Sequence, residues 1–184
     1  MKLIGIVGKN VSGKSSIAVA LESEGYLSLD FSSVLSEILD ILGLPKSREN
    51  YQTLGQSLRK AFHDGILAQA IEYRIKEQRS KNPDIPIVVT GIRYPSEYDM
   101  LVNLGAKIVG LTASVEIRYQ RMKEREIRKA GESSLTLEEF KKKDQHDTEQ
   151  QIDNLLARSE TLLINTDGKS FQETLEELKR KLTK

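Results

Sequence analysis

Cysteine is absent from the chain. That excludes disulfides and cysteine-rich metal sites. A surplus of one charge sign is missing as well: 28 Lys and Arg stand against 27 Asp and Glu, a formal net charge of +1. No global field draws such a chain to nucleic acid or to an anionic membrane, so neither is expected as a partner. No apolar run approaches the roughly 20 residues of a membrane span. The apolar stretch at the N-terminus is too short for a signal peptide, and a soluble cytoplasmic protein is the expectation. Repeats, low-complexity tracts and linkers are lacking too. The 184 residues therefore read as one domain with a sizeable core. Tryptophan is also missing, and with 30% charged residues this composition suits a thermophile.

The most informative stretch present is Gly8, Lys9, Asn10, Val11, Ser12, Gly13, Lys14, Ser15, which follows G-x-x-x-x-G-K-S. Before it runs Lys2–Val7, apolar and β-branched like a buried strand; after it, from Ser16, apolar residues recur at helical spacing. Strand, loop and helix are the context in which this pattern binds phosphate. Gly8 and Gly13 permit positive φ and close backbone approach. Consecutive N–H groups then form an anion-binding concavity, and the helix adds the positive end of its dipole. Lys14 is expected to reach the β- and γ-phosphates and the Ser15 hydroxyl to ligate Mg2+, with Ser16 following on the same helix.

Four further short apolar runs alternate with helical patterns: 26–30, 87–90, 107–112 and 161–164. That alternation predicts one α/β domain with a parallel sheet and helices on both faces. Asp30 falls at the end of the second strand, where ligands gather in open sheets; it stands equally well as the N-cap of the helix that follows. Over 46–82 the pattern is mostly helical, with Leu58, Phe62, Ile66, Leu67, Ala70 and Ile71 expected in the core. Arg48 and Arg59 flank this stripe, and His63 reads as structural. Arg93 lies just past the third strand, well placed to bind an anion. Ser114 is expected to cap a charged helix carrying Arg118, Arg121, Arg125 and Arg128, broken at 131–134 and resuming over 135–156. Spacing alone leaves that arginine helix open between a phosphate-binding lid and a salt-bridged solvent face.

With the phosphate loop, the Gly91, Ile92, Arg93 turn, the arginine-rich helix and the Asn165, Thr166, Asp167, Gly168 turn in this order, the chain resembles the P-loop nucleotide kinases. The similarity is to the adenylate-kinase-related group of nucleoside monophosphate kinases and dephospho-CoA kinases, over essentially the whole length. The resemblance implies a P-loop NTPase fold: a three-layer α/β/α domain over 1–184 with a five-stranded parallel sheet. It also implies a helical acceptor-binding insertion at about 31–82 and an arginine-rich lid at about 118–147. It gives Arg93 the grip on the acceptor nucleotide, with Arg48 and Arg59 in the acceptor-binding region. Arg121, Arg125 and Arg128 take the lid, and Asn165, Asp167 and Gly168 the contact with adenine. One position departs from the pattern: the third strand ends in Thr90 rather than in the Asp that usually holds Mg2+ through water.

The expected activity is ATP- and Mg2+-dependent phosphoryl transfer to a small nucleotide acceptor, a nucleoside or deoxynucleoside monophosphate. The alternative is a dephospho-CoA kinase, in which Asp30 acts as base on a ribose hydroxyl. Lys14, Arg121 and Arg125 carry the charge chemistry in either case. A nucleotide switch is disfavoured because the guanine-specific Asn/Thr-Lys-x-Asp motif is missing; a nucleotide-binding module without activity is the remaining reading.

Overall fold

The structure, a computed structural model, describes residues 2–128, 135–144, 147–158 and 160–183, with the side chains of 126–128, 143 and 147–149 outside that description. The break expected at 131–134 and the Arg128 side chain fall outside it. Five strands are present: β1 (Leu3–Val7), β2 (Leu27–Asp30), β3 (Ile87–Thr90), β4 (Lys107–Thr112) and β5 (Thr161–Asn165). They form one sheet in the order β2-β3-β1-β4-β5, and each neighbouring pair is parallel. The described helices are α1 (Lys14–Ser23), α2 (Phe31–Ile41), α3 (Arg48–Ala61), α4 (Ile66–Lys81), α5 (Pro95–Asn103), α6 (Val115–Arg128), α7 (Leu137–Asp144), α8 (Asp147–Leu156) and α9 (Phe171–Thr183).

The side-chain period of two sorts each central strand between two cores. Leu3 and Val7 of β1 pack into a cluster with Phe31 and Leu35 of α2, Ile71 and Ile75 of α4, Tyr98 and Leu101 of α5, and Ile152 and Leu155 of α8. Ile4 and Ile6 of the same strand face Ile17 and Leu21 of α1 and Leu175 and Leu178 of α9. Helices thus cover both faces, the three-layer arrangement expected of buried parallel strands. No helix among the described residues is long and apolar enough to cross a membrane.

The apolar stripe expected across 58–71 is interrupted. α3 ends at Ala61, and Phe62, its C-terminal cap, takes φ −113° and ψ −83°. The helical phase restarts at Ile66, so Leu67 and Ile71 reach the core while Phe62 is 67% exposed. His63 is also exposed and pairs its Nε2 with Gln69 at 3.0 Å, a local contact. Within the helical stretch expected over 135–156, the described residues form α7 and α8, with 145–146 outside the description.

Candidate functional site

The turn from β1 into α1 is built for close approach. A Cβ on Gly8 would stand 2.5 Å from the Leu111 carbonyl oxygen and 2.6 Å from Ser12 Oγ, so only glycine fits. Gly13 takes φ 105° as the residue before α1, and no side chain caps that helix end. Its first N–H groups and its dipole therefore face the loop. Val11 has φ 61°, the one positive φ of a non-glycine among the described residues; this β-branched residue stores strain at the loop tip. The Ser12 hydroxyl is fully buried without a protein partner. Lys14 Nζ bends back to donate to the Gly8 and Lys9 carbonyls at 2.6 and 2.7 Å, holding the ends of the loop together.

The loop is pinned from α6 and α8. Arg118, 2% exposed, donates Nε to the Ala113 carbonyl at 3.1 Å and Nη1 to the Asn10 carbonyl at 3.3 Å. Its guanidinium also grips both carboxylate oxygens of Asp144, with Nη1 at 2.6 Å from Oδ1. Lys9 pairs with Asp153 at 2.8 Å and stands 3.7 Å from Asp144.

At the sheet edge Asp30 caps α2, as its place before that helix predicts, and also lines the cleft. Its Oδ1 accepts the Ser32 N–H at 2.7 Å and the Ser32 hydroxyl, capping α2. Its Oδ2 accepts the Thr90 hydroxyl at 2.6 Å. Gly91 makes room: it takes φ 79°, and a Cβ there would lie 2.9 Å from both carboxylate oxygens.

Elsewhere on the cleft, Arg59 is held on two sides. Its Nη2 donates to Glu97 Oε1 at 2.8 Å, and its guanidinium carbon lies 3.7 Å from the centre of the Tyr94 ring. Glu97 Oε2 accepts the Arg93 N–H at 2.8 Å and the Tyr94 N–H at 3.2 Å. Glu97 is 2% exposed. Burial pushes its carboxyl above the ordinary range, against the Arg93 and Tyr94 N–H groups and Arg59, which lower it.

These parts surround a single cleft of about 1030 Å3, lined by the phosphate loop, Asp30, Thr90 and a ring of five arginines: Arg48, Arg59, Arg93, Arg121 and Arg125. Arg59 Nη1 lies beside Gly55 of α3, and Glu97 joins the Arg59 side chain to the Arg93 main chain. Arg121 is anchored to the loop after β5: Nη1 donates to Thr166 Oγ1 and Nη2 to the Thr166 carbonyl, both at 2.9 Å. In that loop Asn165 Oδ1 accepts the Asp167 N–H at 2.9 Å, and the Asp167 carboxylate accepts the Ser114 N–H at 2.9 and 3.1 Å. Asn165, Asp167 and Gly168 do not line the cleft.

Glu97, Tyr94 and Gly55 were not singled out in the sequence, although an acid beside Pro95 in a first helical turn is a visible capping signal. Asp144 gave no signal of its partnership with Arg118. The donor set suits a magnesium–nucleotide complex better than a free ion. Ser15 lines the cleft at the open helix end, while among the described residues no group of three or more His, Cys, Asp or Glu could hold a metal. A divalent ion here needs phosphate oxygens to complete its shell.

A family profile described as AAA domain matches residues 4–158. The chain is 26% identical over 184 residues to a UPF0200 protein of Sulfurisphaera tokodaii, covering 99% of this chain and 98% of that protein. A gluconokinase from Sinorhizobium meliloti 1021 shares the fold with a TM-score of 0.58 at 17% identity, over 99% of this chain and 91% of that one. A sugar kinase from a Janibacter species does so with a TM-score of 0.58 at 15% identity, over 100% and 95%. At such identities the likeness is one of fold, the three-layer α/β P-loop NTPase fold.

Proposed function

Given that the chain belongs to the AAA domain family, we propose that it is an ATP- and Mg2+-dependent kinase acting on a small nucleotide, a nucleoside or deoxynucleoside monophosphate. The observation that carries this reading is the single cleft in which Lys14 and Ser15 face Arg59, Arg93 and Arg125. Phosphoryl transfer asks little covalent chemistry of a protein; it asks for positioning and for cations around the moving group. Loop N–H groups and Lys14 hold the β- and γ-phosphates, releasing Lys14 from the Gly8 and Lys9 carbonyls. Ser15 is the protein ligand for Mg2+, which when bound neutralises charge on the phosphate oxygens. Arg59 and Arg93 fix the acceptor anion, Arg125 faces the transferring group, Arg121 steadies the loop after β5, and Arg128 is assigned to the lid. An acceptor oxygen bonds to the γ-phosphorus as the bond to the β,γ-bridging oxygen breaks, and ADP leaves.

One observation favours a second reading. Asp30 presents a fixed carboxylate to the cleft, and an attacking hydroxyl needs a base where an attacking phosphate does not. A hydroxyl acceptor such as dephospho-CoA, or a sugar acid like that named for the gluconokinase neighbour, would use it. The test is ADP formation from Mg2+–ATP with AMP, CMP, UMP, GMP, their deoxy forms, dephospho-CoA and gluconate, with Lys14→Ala as background. Turnover in wild type that depends on a monophosphate acceptor, absent from Lys14→Ala protein of unchanged circular dichroism, supports the proposal, and turnover with dephospho-CoA or gluconate alone supports the second reading instead. No turnover above that background with any acceptor overturns it.

A further inference from the structure

Within α3, the cleft-facing positions include Gly55 and Arg59, one turn apart. A glycine inside a helix is costly relative to alanine, and this one is buried. Its use is visible in space: a Cβ at Gly55 would come within 3.1 Å of Arg59 Nη1. The missing side chain lets the guanidinium lie down along α3, with the Tyr94 ring 3.7 Å away. Glu97 holds the Nη2 end and, through its other oxygen, the Arg93 main chain. Arg59 Nε–H is buried and meets no protein acceptor. A buried donor left without a partner is expensive, and this one belongs to a group lining the cleft.

We propose that Gly55, Tyr94 and Glu97 are positioning residues that preset Arg59 to receive an anionic oxygen of the phosphoryl acceptor. This rests on the kinase reading and deepens it. Glu97 offsets the charge of Arg59, so recognition depends on the direction of its N–H groups rather than on net charge. Planar, fixed guanidinium donors select phosphate or carboxylate oxygens. Holding the side chain in place beforehand removes the ordering cost that a free arginine would meet on binding.

The experiment is calorimetric titration with AMP, CMP, dephospho-CoA and gluconate of protein saturated with Mg2+ and a non-hydrolysable ATP analogue. The phosphate probes and gluconate separate a phosphate from a carboxylate source. Arg59→Lys and Glu97→Gln are expected to weaken the best-bound probe about tenfold or more, the loss of one charge-assisted hydrogen bond, while affinity for the ATP analogue stays within about twofold. Gly55→Ala decides between positioning and mere structure. It is expected to weaken the same probe without lowering the thermal midpoint, because alanine is the better helix former. Unchanged probe affinity in Gly55→Ala and Glu97→Gln, equal loss for probe and ATP analogue, or no probe bound by wild type overturns the proposal. Failure of the kinase reading looks different: the probes bind and the variants discriminate, but no acceptor is phosphorylated.

Discussion

Asp30 and Thr90 are register partners at the ends of β2 and β3, and the Thr90 hydroxyl donates to Asp30 Oδ2 at 2.6 Å. Thr90, at the end of β3, thus holds a carboxylate carried by the neighbouring strand. Its other oxygen is occupied in capping α2. This arrangement fixes the carboxylate direction and makes a substitution informative. Asn caps helices about as well as Asp, so Asp30→Asn should leave the fold intact and alter only chemistry. With a hydroxyl acceptor, kcat should fall by about 10²–10⁴, the usual worth of a general base. With a monophosphate acceptor, the effect should lie mainly in acceptor KM. Thr90→Val, close in shape, should move the same parameter to a smaller degree. Steady-state kinetics on the best acceptor of the panel check both variants; unchanged kinetics in Asp30→Asn would remove Asp30 from the site.

Arg121 and Arg125 lie one helical turn apart, and the sequence assigns both to the transferring group. In the structure both line the cleft, but Arg121 is bonded to Thr166 and Arg125 is exposed. Arg125→Ala is expected to lower kcat about 10²-fold, as loss of a preorganised charge does, with little change in KM. Arg121→Ala is expected to raise the KM for ATP first, because the loop after β5 loses its anchor. Equal kcat losses in the two variants would return Arg121 to the reaction centre.

Much of this organisation is legible in the chain, and the reason is physical. Buried parallel strands are continuous β-branched runs bounded by turn residues, so 87–90 and 107–112 match β3 and β4. The phosphate loop is readable because glycine, lysine and serine occur there at fixed spacing. Partnerships between elements are not readable in this way. Arg59 and Glu97 are 38 residues apart, and Arg118 and Asp144 are 26 apart. Nothing local marks Arg118 as buried while Arg125, on the same helix, is exposed. Phe62 shows the converse: periodicity assigned it to the core, and the end of α3 turned it out.

Glu97 gives a pH prediction with a definite sign. Burial raises its carboxyl above the ordinary 4.5. The folded state therefore holds this proton more tightly than the unfolded state. The stability that follows is fully present below about pH 4.5 and is lost as pH rises through the folded value. Urea unfolding of wild type and Glu97→Gln between about pH 4 and 7.5 isolates this group. The wild-type free energy, less that of the variant, should decline with rising pH. A flat or rising difference would show that the Arg59 and N–H contacts outweigh burial.

The Arg118–Asp144 pair is the last case, and it separates stability from nucleotide binding. Both side chains are largely shielded, 3% and 14% exposed. Removing one partner leaves a buried charge, so Asp144→Ala should destabilise the fold by about 3–5 kcal/mol. Replacing both by apolar groups of similar size removes that penalty, and Arg118→Met with Asp144→Leu should recover most of the loss. Nucleotide binding should not recover with it. Arg118 also donates to the Asn10 carbonyl at 3.3 Å, and without this bond the strained turn at Val11 loses its support from α6. Lys9 keeps its contact with Asp153, so the loop is loosened rather than released. The double variant is therefore expected to unfold near the wild-type midpoint yet to bind a non-hydrolysable ATP analogue about tenfold more weakly, the cost of about 1.4 kcal/mol. Chemical denaturation and calorimetric titration on the same samples test the two halves. Wild-type affinity in the double variant would show that Arg118 serves the fold alone, and a double variant as unstable as Asp144→Ala would show that the charges are not what holds α6 to α7.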